Sequence, residues 1–171
     1  MSSSTLSKRN PIFIKIKLLI SIILLVLISI LTFFIKDKKD EYLYDELDYE
    51  IRYVAYVIDG DTFVDKNGER VRLIGINAPE IGERCYEEAK ARLKELIEKK
   101  YVKLVYDVKR KDRYNRTLAY VFVNDLNVNL IMIKEGYAVV YPDRLNTRFL
   151  NEFYSAEKYA RENKIGCLWK D

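Results

Sequence analysis

The stretch VIDGDTFV, residues 57–64, places two aspartates one residue apart among apolar and β-branched residues. Asp-Gly is a common turn signal, so Asp59-Gly60 predicts a tight corner between two strands. The aspartates of such a corner can serve the turn, or rigid backbone can hold one carboxylate so that it binds a metal ion. The stretch alone favours the turn, and the rest of the chain decides between the two.

The segments around this corner predict a small barrel. A helix over residues 85–100 falls between the third and fourth predicted strands, and a short helix ended by Gly136 and a last helix over about 148–163 come later. The five predicted strands are residues 51–58, 62–65, 70–76, 101–108 and 117–123. Asn67-Gly68 predicts a type I′ hairpin turn between the second and third strands. This order matches the OB-fold, so we expect a mainly β domain with helices (α+β): a five-stranded Greek-key barrel with about three helices, a fold that often binds oligonucleotides.

Residues 18–35, LLISIILLVLISILTFFI, carry no charge, proline or glycine. At about 1.5 Å per residue the run covers most of a ~30 Å hydrocarbon core, so it predicts one N-terminal transmembrane helix. A cleaved signal peptide is the rival interpretation, but no small-residue cleavage site follows the run, which favours an uncleaved anchor. Four basic residues precede the run and three follow it closely, a weak bias that places the N-terminus in the cytoplasm. The sequence therefore predicts a single-pass protein of the cell membrane with an extracytoplasmic domain.

The composition changes along the chain. The predicted regions are a basic tail (1–17), the anchor (18–35), a charged linker (36–50) and a globular domain (51–171). Residues 41–171 hold 23 basic and 24 acidic residues, so any binding of nucleic acid by the domain must depend on local clusters. The chain has no histidine and is rich in Lys, Glu, Ile and Tyr, a composition that suits a protein from a hot environment.

The chain has two cysteines, Cys85 and Cys167, which limits the metal sites and disulfides that it can form. Two thiols without histidine cannot make a closed four-ligand zinc site. A disulfide between them is compatible with an outward-facing domain, and two unpaired buried thiols are the alternative. The sequence leaves both open, because it does not show whether the pair meets in space.

Four ionic or polar features fall at predicted strand ends and loops: Asp61, Arg72, the loop 77–80 and Arg116. They lie within IDGDT (58–62), RLIGINAPE (72–80) and DRYNRTLAY (112–120). In this order the three motifs resemble the staphylococcal nuclease (thermonuclease) family. The resemblance covers roughly residues 51–169, nearly all of the predicted domain.

The resemblance implies a calcium-dependent endonuclease that hydrolyses phosphodiester bonds of DNA and RNA with little sequence specificity and leaves 3′-phosphate ends. Arg72 and Arg116 match the two phosphate-binding arginines of the family, and Glu80 matches the glutamate assigned as general base. These residue types suit the reaction, because phosphodiester hydrolysis adds charge at phosphorus and guanidinium forks bind phosphate bidentately. A catalytic scheme that needs histidine is excluded.

The resemblance also implies a metal site for one Ca²⁺ ion, with another divalent cation as the alternative. Asp61 matches the family's aspartate ligand, and the backbone carbonyl of Ala78 matches a further ligand. Asn77 stands where the family commonly has a second aspartate, so we expect weaker binding or a different cation preference. Asn115 replaces the glycine that is usual before the second arginine, and asparagine tolerates a positive φ.

Basic residues of the loop 109–116 are interleaved with aromatics, a pattern that suits single-stranded nucleic acid. We predict substrate-binding roles for Arg113, Tyr114 and Tyr141, with DNA and RNA as partners, single strands preferred and no protein partner inferred. The alternative function is a non-catalytic OB-fold module that binds nucleic acid or a partner at the membrane. Asn77 keeps this alternative open, whereas the joint presence of the two arginines, Asp61 and Glu80 speaks against it.

Overall fold

The computed structural model describes residues 18–33 and 48–170. The chain divides into two compact units, Met1–Glu46 and Leu47–Asp171, which are treated separately. In the first unit, residues 18–33 form helix α1. Within residues 18–33 and 48–170, no helix has both the length and the apolar character needed to cross a membrane. The predicted tail 1–17, residues 34–35 of the predicted anchor and most of the predicted linker lie outside the described residues, so the anchor stays a prediction.

Within residues 48–170, the second unit is made of eight strands and four helices. The strands are β1 (Tyr49–Asp59), β2 (Thr62–Asp65), β3 (Arg70–Leu73), β4 (Ile76–Asn77), β5 (Tyr101–Val105), β6 (Thr117–Val123), β7 (Leu126–Asn127) and β8 (Val139–Val140). The helices are α2 (Tyr86–Ile97), α3 (Val128–Lys134), α4 (Leu150–Glu162) and α5 (Gly166–Trp169).

Five of the strands close into a barrel. The sheet runs in the order β3-β2-β1-β5-β6, with β7 beside β6, and a parallel pairing of β3 with β6 closes it. This mixed α+β architecture, a closed five-stranded barrel with several helices, confirms the predicted fold class of the domain. The closing pair aligns Arg72 with Leu118 and Val71 with Thr117, so the strand that carries Arg72 lies beside the residues that follow Arg116. Barrel closure therefore brings together two motifs that are about forty residues apart in the sequence.

The core lies inside the barrel and between the barrel and its helices. Helix α2 buries Ala89, Leu93 and Ile97 at helical spacing, as its apolar stripe predicts. On another side, the ring of Tyr120 in β6 meets Phe149 edge to face, with 4.7 Å between the ring centroids. Such aromatic pairs stabilise beyond their buried area. These two contacts fix α2 and the start of α4 against the barrel that carries the site.

Several predicted element bounds are wrong for local reasons. The first strand begins at Tyr49, inside the predicted linker, because residues 49–53 pair with β5. The predicted third strand breaks before Gly75, whose φ is 76°, and its last residue, Ile76, begins the separate strand β4. Helix α2 begins at Tyr86 rather than Cys85, because Cys85 has a left-handed φ of 74°.

The hairpin between β2 and β3 is not the predicted type I′ turn. That turn needs a positive φ at both central residues, and here Gly68 has a positive φ of 82° while Asn67 does not. The N–H of Gly68 donates to the carbonyl of Asp65, and the carboxylate of Asp65 accepts from the N–H groups of Asn67 and Glu69 at 2.8 and 2.9 Å. The N–H of Asp65 also donates to the carbonyl of Glu69 at 3.0 Å, so residues 66–68 form a three-residue loop with glycine in the left-handed position.

Cys85 and Cys167 form a disulfide, with 5.7 Å between their Cα atoms. This separation lies within the usual range for the bond. The structure thus decides the alternative that the sequence left open, and it ties the start of α2 to helix α5.

Candidate functional site

The corner that joins β1 to β2 packs its glycine against two neighbouring elements. The N–H of Asp61 donates to Oδ1 of Asp59 at 3.1 Å, so Asp59 serves the turn, as expected for an Asx turn. A Cβ built on Gly60 would lie 2.5 Å from Cβ of Ala78 and 2.8 Å from Cβ of Ala89. The absent side chain lets the corner contact both the loop after β4 and helix α2. This contact holds Asp61 beside Ala78.

The Asp61 side chain is buried and fully engaged. Its Oδ2 accepts from the N–H of Ala78 at 2.8 Å and pairs with Nη2 of Arg72 at 3.0 Å, and its Oδ1 accepts from the hydroxyl of Thr62 at 2.9 Å. Burial raises the pKa of Asp61 to about 6, although Arg72 and the hydrogen bonds oppose the shift. Asp61 is thus a desolvated carboxylate that contacts both Arg72 and the loop 77–80, and its metal-binding role stays a prediction.

Arg72 links the corner to strand β4. Its Nη1 donates to the carbonyl of Leu73 at 2.8 Å, and its Nη2 donates to Oδ1 of Asn77 at 3.0 Å. The guanidinium is largely buried, and burial lowers the pKa of Arg72 while Asp61 opposes the shift. The ordinary pKa of arginine is so high that the group stays charged. Because one Nη2 atom contacts both Asp61 and Asn77, these two side chains lie close together.

The oxygen atoms around Arg72 are of types that can bind a metal ion. Asp61 offers a carboxylate, Asn77 an amide oxygen and Ala78 a carbonyl that accepts from Nδ2 of Asn77 at 3.3 Å. Hard cations such as Ca²⁺ prefer such oxygen donors. Among residues 18–33 and 48–170, however, no three Asp, Glu or Cys side chains form a metal-binding group. These three residues therefore offer the donor types that a hard cation binds. Among them, only Asp61 carries a full negative charge.

Arg116 is held by the loop that precedes β6. Its Nε donates to Oδ2 of Asp112 at 2.7 Å. The other oxygen of Asp112 accepts from the N–H groups of Tyr114 and Arg116 at 2.8 and 2.9 Å. Asn115 has a φ of 61°, the positive value that the sequence led us to expect it to tolerate. Asp112 was not among the predicted site residues, although an aspartate before a short turn is a recognisable Asx signal.

One cleft collects nearly all of the predicted site residues. Its lining consists of Asp59, Asp61, Arg72, Asn77, Glu80, Lys109, Asp112, Arg113, Tyr114, Arg116 and Tyr141. Of the predicted catalytic, metal-binding and substrate-binding residues, only Ala78 is absent from the lining, and its side chain is buried. Sequence reasoning assigned no site role to Lys109, Asp112 or Asp59. The cleft thus places carboxylates and guanidinium groups around one open space.

The two predicted aromatic contacts lie at the rim. Tyr114 and Tyr141 are each 64% exposed. The Tyr114 ring is flanked by two guanidinium groups, with 4.7 Å from its centroid to Arg113 and 5.5 Å to Arg116. A planar ring beside cations offers both a stacking surface and positive charge. The chemistry available here is recognition of an anionic, planar ligand.

The fold and the cleft together define a class of protein: a closed five-stranded barrel with arginines and carboxylates in one cleft. Comparison with known proteins identifies the family. Residues 70–171 match the family described as staphylococcal nuclease homologue (SNase), and this chain belongs to that family. It is 39% identical over 128 residues to a thermonuclease of Staphylococcus intermedius, with 68% of this chain and 74% of that protein covered. It is 39% identical over 127 residues to an uncharacterised protein of Bacillus anthracis, with 68% of this chain and 59% of that protein covered. It is 36% identical over 123 residues to the endonuclease YncB of Bacillus subtilis, with 66% and 58% covered.

Proposed function

We propose that this chain is a metal-dependent endonuclease that hydrolyses phosphodiester bonds of DNA and RNA with little sequence specificity and leaves 3′-phosphate ends. The observation that carries the proposal is the single cleft lined by Asp61, Arg72, Glu80 and Arg116. Relatives named thermonuclease and endonuclease support the same activity. A module that only binds nucleic acid would not need this set together.

The arginines would neutralise charge on the reacting phosphate. Phosphoryl transfer is mostly positioning and electrostatic stabilisation, and planar guanidinium groups bind phosphate oxygens through two N–H groups at once. Within residues 48–170, neither Nη atom of Arg116 has a hydrogen-bond partner, since Asp112 takes only Nε. Arg116 therefore has two N–H-bearing atoms available to a phosphate. Arg72 is held deeper in the cleft by Asp61 and Asn77.

Glu80 would orient the attacking water or take its proton. Its side chain is exposed on the cleft wall, and within residues 48–170 its carboxylate accepts no hydrogen bond. Its backbone is fixed, because its N–H donates to Oε2 of Glu83 at 2.8 Å. A carboxylate that is free of protein partners but fixed at its backbone is suited to act on a water molecule in the cleft.

The cation would be held by Asp61, Asn77 and the carbonyl of Ala78, with Ca²⁺ as the expected ion. When bound, a divalent cation supplies electrostatic neutralisation of a phosphate oxygen. Asn77 contributes an amide oxygen in place of a charge, so the site would bind the ion more weakly than a site with two carboxylates.

The domain would act outside the cytoplasm, attached to the cell membrane by the segment 18–35. The apolar sequence of that segment supports the attachment, and the Cys85–Cys167 disulfide supports an oxidising compartment. Addition of an impermeant protease to intact cells should remove the domain and leave a short membrane fragment. Protection of the domain until the cells are lysed would place it on the cytoplasmic side.

The activity is tested with the full-length chain and a labelled single-stranded oligodeoxynucleotide. We expect cleavage with Ca²⁺ at many positions, loss of cleavage with chelator, and products that become substrates for 3′-end extension only after phosphatase treatment. Arg116→Ala should reduce cleavage strongly, whereas Asp125→Asn, on the distant β6–β7 turn, is the matched surface control. Tight binding of the oligonucleotide without cleavage under any divalent cation would replace this proposal with the binding-module alternative.

A further inference from the structure

Asp112 uses its two carboxylate oxygens for two separate tasks. Oδ1 accepts the N–H groups of Tyr114 and Arg116, at 2.8 and 2.9 Å, which fixes the backbone of the loop. Oδ2 accepts Nε of Arg116 at 2.7 Å, which fixes the plane of the guanidinium group. The side chain of Asp112 is 13% exposed and that of Arg116 is 27% exposed, so the pair is partly withdrawn from water.

The loop itself is closed by backbone hydrogen bonds. The N–H of Asp112 donates to the carbonyl of Arg116, and the N–H of Asn115 donates to the carbonyl of Asp112, both at 3.1 Å. Thr117 then enters β6 and pairs with Val71, next to Arg72. The contact between Asp112 and Nε therefore ties the Arg116 side chain to a loop that is held by backbone hydrogen bonds. The strand that follows this loop pairs with the strand that carries Arg72.

We infer that Asp112 is a positioning residue, which holds the Arg116 guanidinium so that its two Nη atoms face the substrate phosphate. The inference rests on the proposed function, which gives Arg116 its role at the phosphate. An arginine whose plane is fixed before the substrate arrives loses less conformational freedom on binding. A misplacement of about 1 Å at a catalytic group can lower the rate about 100-fold.

The charge of Asp112 is available at neutral pH. Burial raises the pKa of Asp112, but the hydrogen bonds from Arg116 and from the loop N–H groups outweigh it and hold the pKa below its ordinary value. The carboxylate also offsets part of the positive charge of Arg116. Its removal should therefore disorder the guanidinium without weakening attraction to the substrate, so kcat should fall while KM should not rise.

The test uses Asp112→Asn in the full-length chain. The amide oxygen of asparagine can still accept from the two loop N–H groups, but its NH₂ group cannot accept from Nε of Arg116. With single-stranded DNA and Ca²⁺ we expect kcat to fall about 10- to 100-fold, with KM unchanged or lower. Asp125→Asn is the control, because Asp125 is exposed on the β6–β7 turn and is absent from the lining of the cleft.

A double-variant cycle separates positioning from a general effect on the fold. In an Arg116→Ala background, Asp112→Asn should cause no further loss of kcat, because Asp112 acts through Arg116. An equal loss in both backgrounds would overturn the inference. If Asp112→Asn does not fold, Asp112→Ser replaces it, because a hydroxyl can accept from the loop N–H groups but is too short to reach the guanidinium.

A readout without catalysis distinguishes failure of this inference from failure of the proposed function. In the ¹⁵N-arginine-labelled full-length chain, the Nε–H signal of Arg116, assigned by its loss in Arg116→Lys, should be slow to exchange. Asp112→Asn should shift this signal and speed its exchange, while Asp125→Asn leaves it unchanged. An unchanged signal in Asp112→Asn would overturn the inference even if the protein cuts DNA. A wild-type protein that does not cut would refute only the proposed function.

Discussion

Replacement of Gly60 by alanine tests whether close packing at the corner positions Asp61. The new Cβ would meet Cβ of Ala78 at 2.5 Å and Cβ of Ala89 at 2.8 Å, well inside the 3.5–4.0 Å at which carbon atoms pack. Neither neighbour can rotate away, because both contacting atoms are Cβ atoms. The corner, the loop or α2 must therefore move by about 1 Å.

Overpacking of this kind typically lowers the free energy of unfolding by about 1–3 kcal/mol. For a domain of this size we expect the melting temperature of Gly60→Ala to fall by roughly 4–12 °C. The movement would also pull Asp61 away from the N–H of Ala78, which it now accepts at 2.8 Å. Cleavage of single-stranded DNA at saturating Ca²⁺ should fall about 100-fold.

The assay pairs thermal unfolding, followed by circular dichroism, with a cleavage time course. Gly82→Ala is the control, since a Cβ there meets nothing within 4 Å, although its φ of 89° adds local strain. Gly60→Ala combined with Ala78→Gly removes the shorter contact and should recover part of the lost activity. If Gly60→Ala melts and cuts like the wild type, the packing argument for Asp61 is wrong.

Three further predictions concern the disulfide, the cation and the substrate rim. Cys85→Ser with Cys167→Ser removes a link across 82 residues, and the loop-entropy relation gives a loss of about 4–5 kcal/mol in the free energy of unfolding. Denaturant titration measures this loss, and a change below about 1 kcal/mol would contradict the prediction. Asn77→Asp adds a carboxylate and should lower the Ca²⁺ dissociation constant about tenfold, measured as a larger calcium-induced rise in melting temperature. An unchanged dissociation constant would argue that Asn77 is not a ligand. Tyr114→Ala should weaken single-strand binding by roughly 5- to 100-fold in fluorescence anisotropy, whereas Tyr56→Ala, on another exposed surface, should leave it unchanged.

Long elements with clear periodicity could be predicted from the sequence. The barrel strands and helix α2 follow from β-branched runs and from the stripe of Ala89, Leu93 and Ile97. The two-residue strands β4, β7 and β8 could not be predicted, because two residues carry no periodic pattern. The β2–β3 turn was predicted wrongly, because the carboxylate of Asp65 satisfies the loop N–H groups and selects a different loop.

For the site, too, the motif residues could be predicted from the sequence, whereas the contacts between residues that are distant in the sequence could not. The motif residues of the cleft were predicted from the family resemblance, and the structure brings them together, but their roles stay predictions. The pairing of Cys85 with Cys167 required knowledge of distance in space, which spacing in sequence does not give. Asp112 was overlooked because its importance lies in which atoms of Arg116 and of the loop it contacts.

The most direct test of the central claim compares the full-length wild-type chain with Asp61→Ala on single-stranded DNA. Each protein is assayed with Ca²⁺, with Mg²⁺ and with chelator, and its binding to the same oligonucleotide is measured in parallel. We expect calcium-dependent cutting by the wild type, loss of cutting in Asp61→Ala, and binding retained by both. Equal absence of cutting in both proteins, with binding retained, would show that the corner at Asp61 is only a turn in a nucleic-acid-binding barrel.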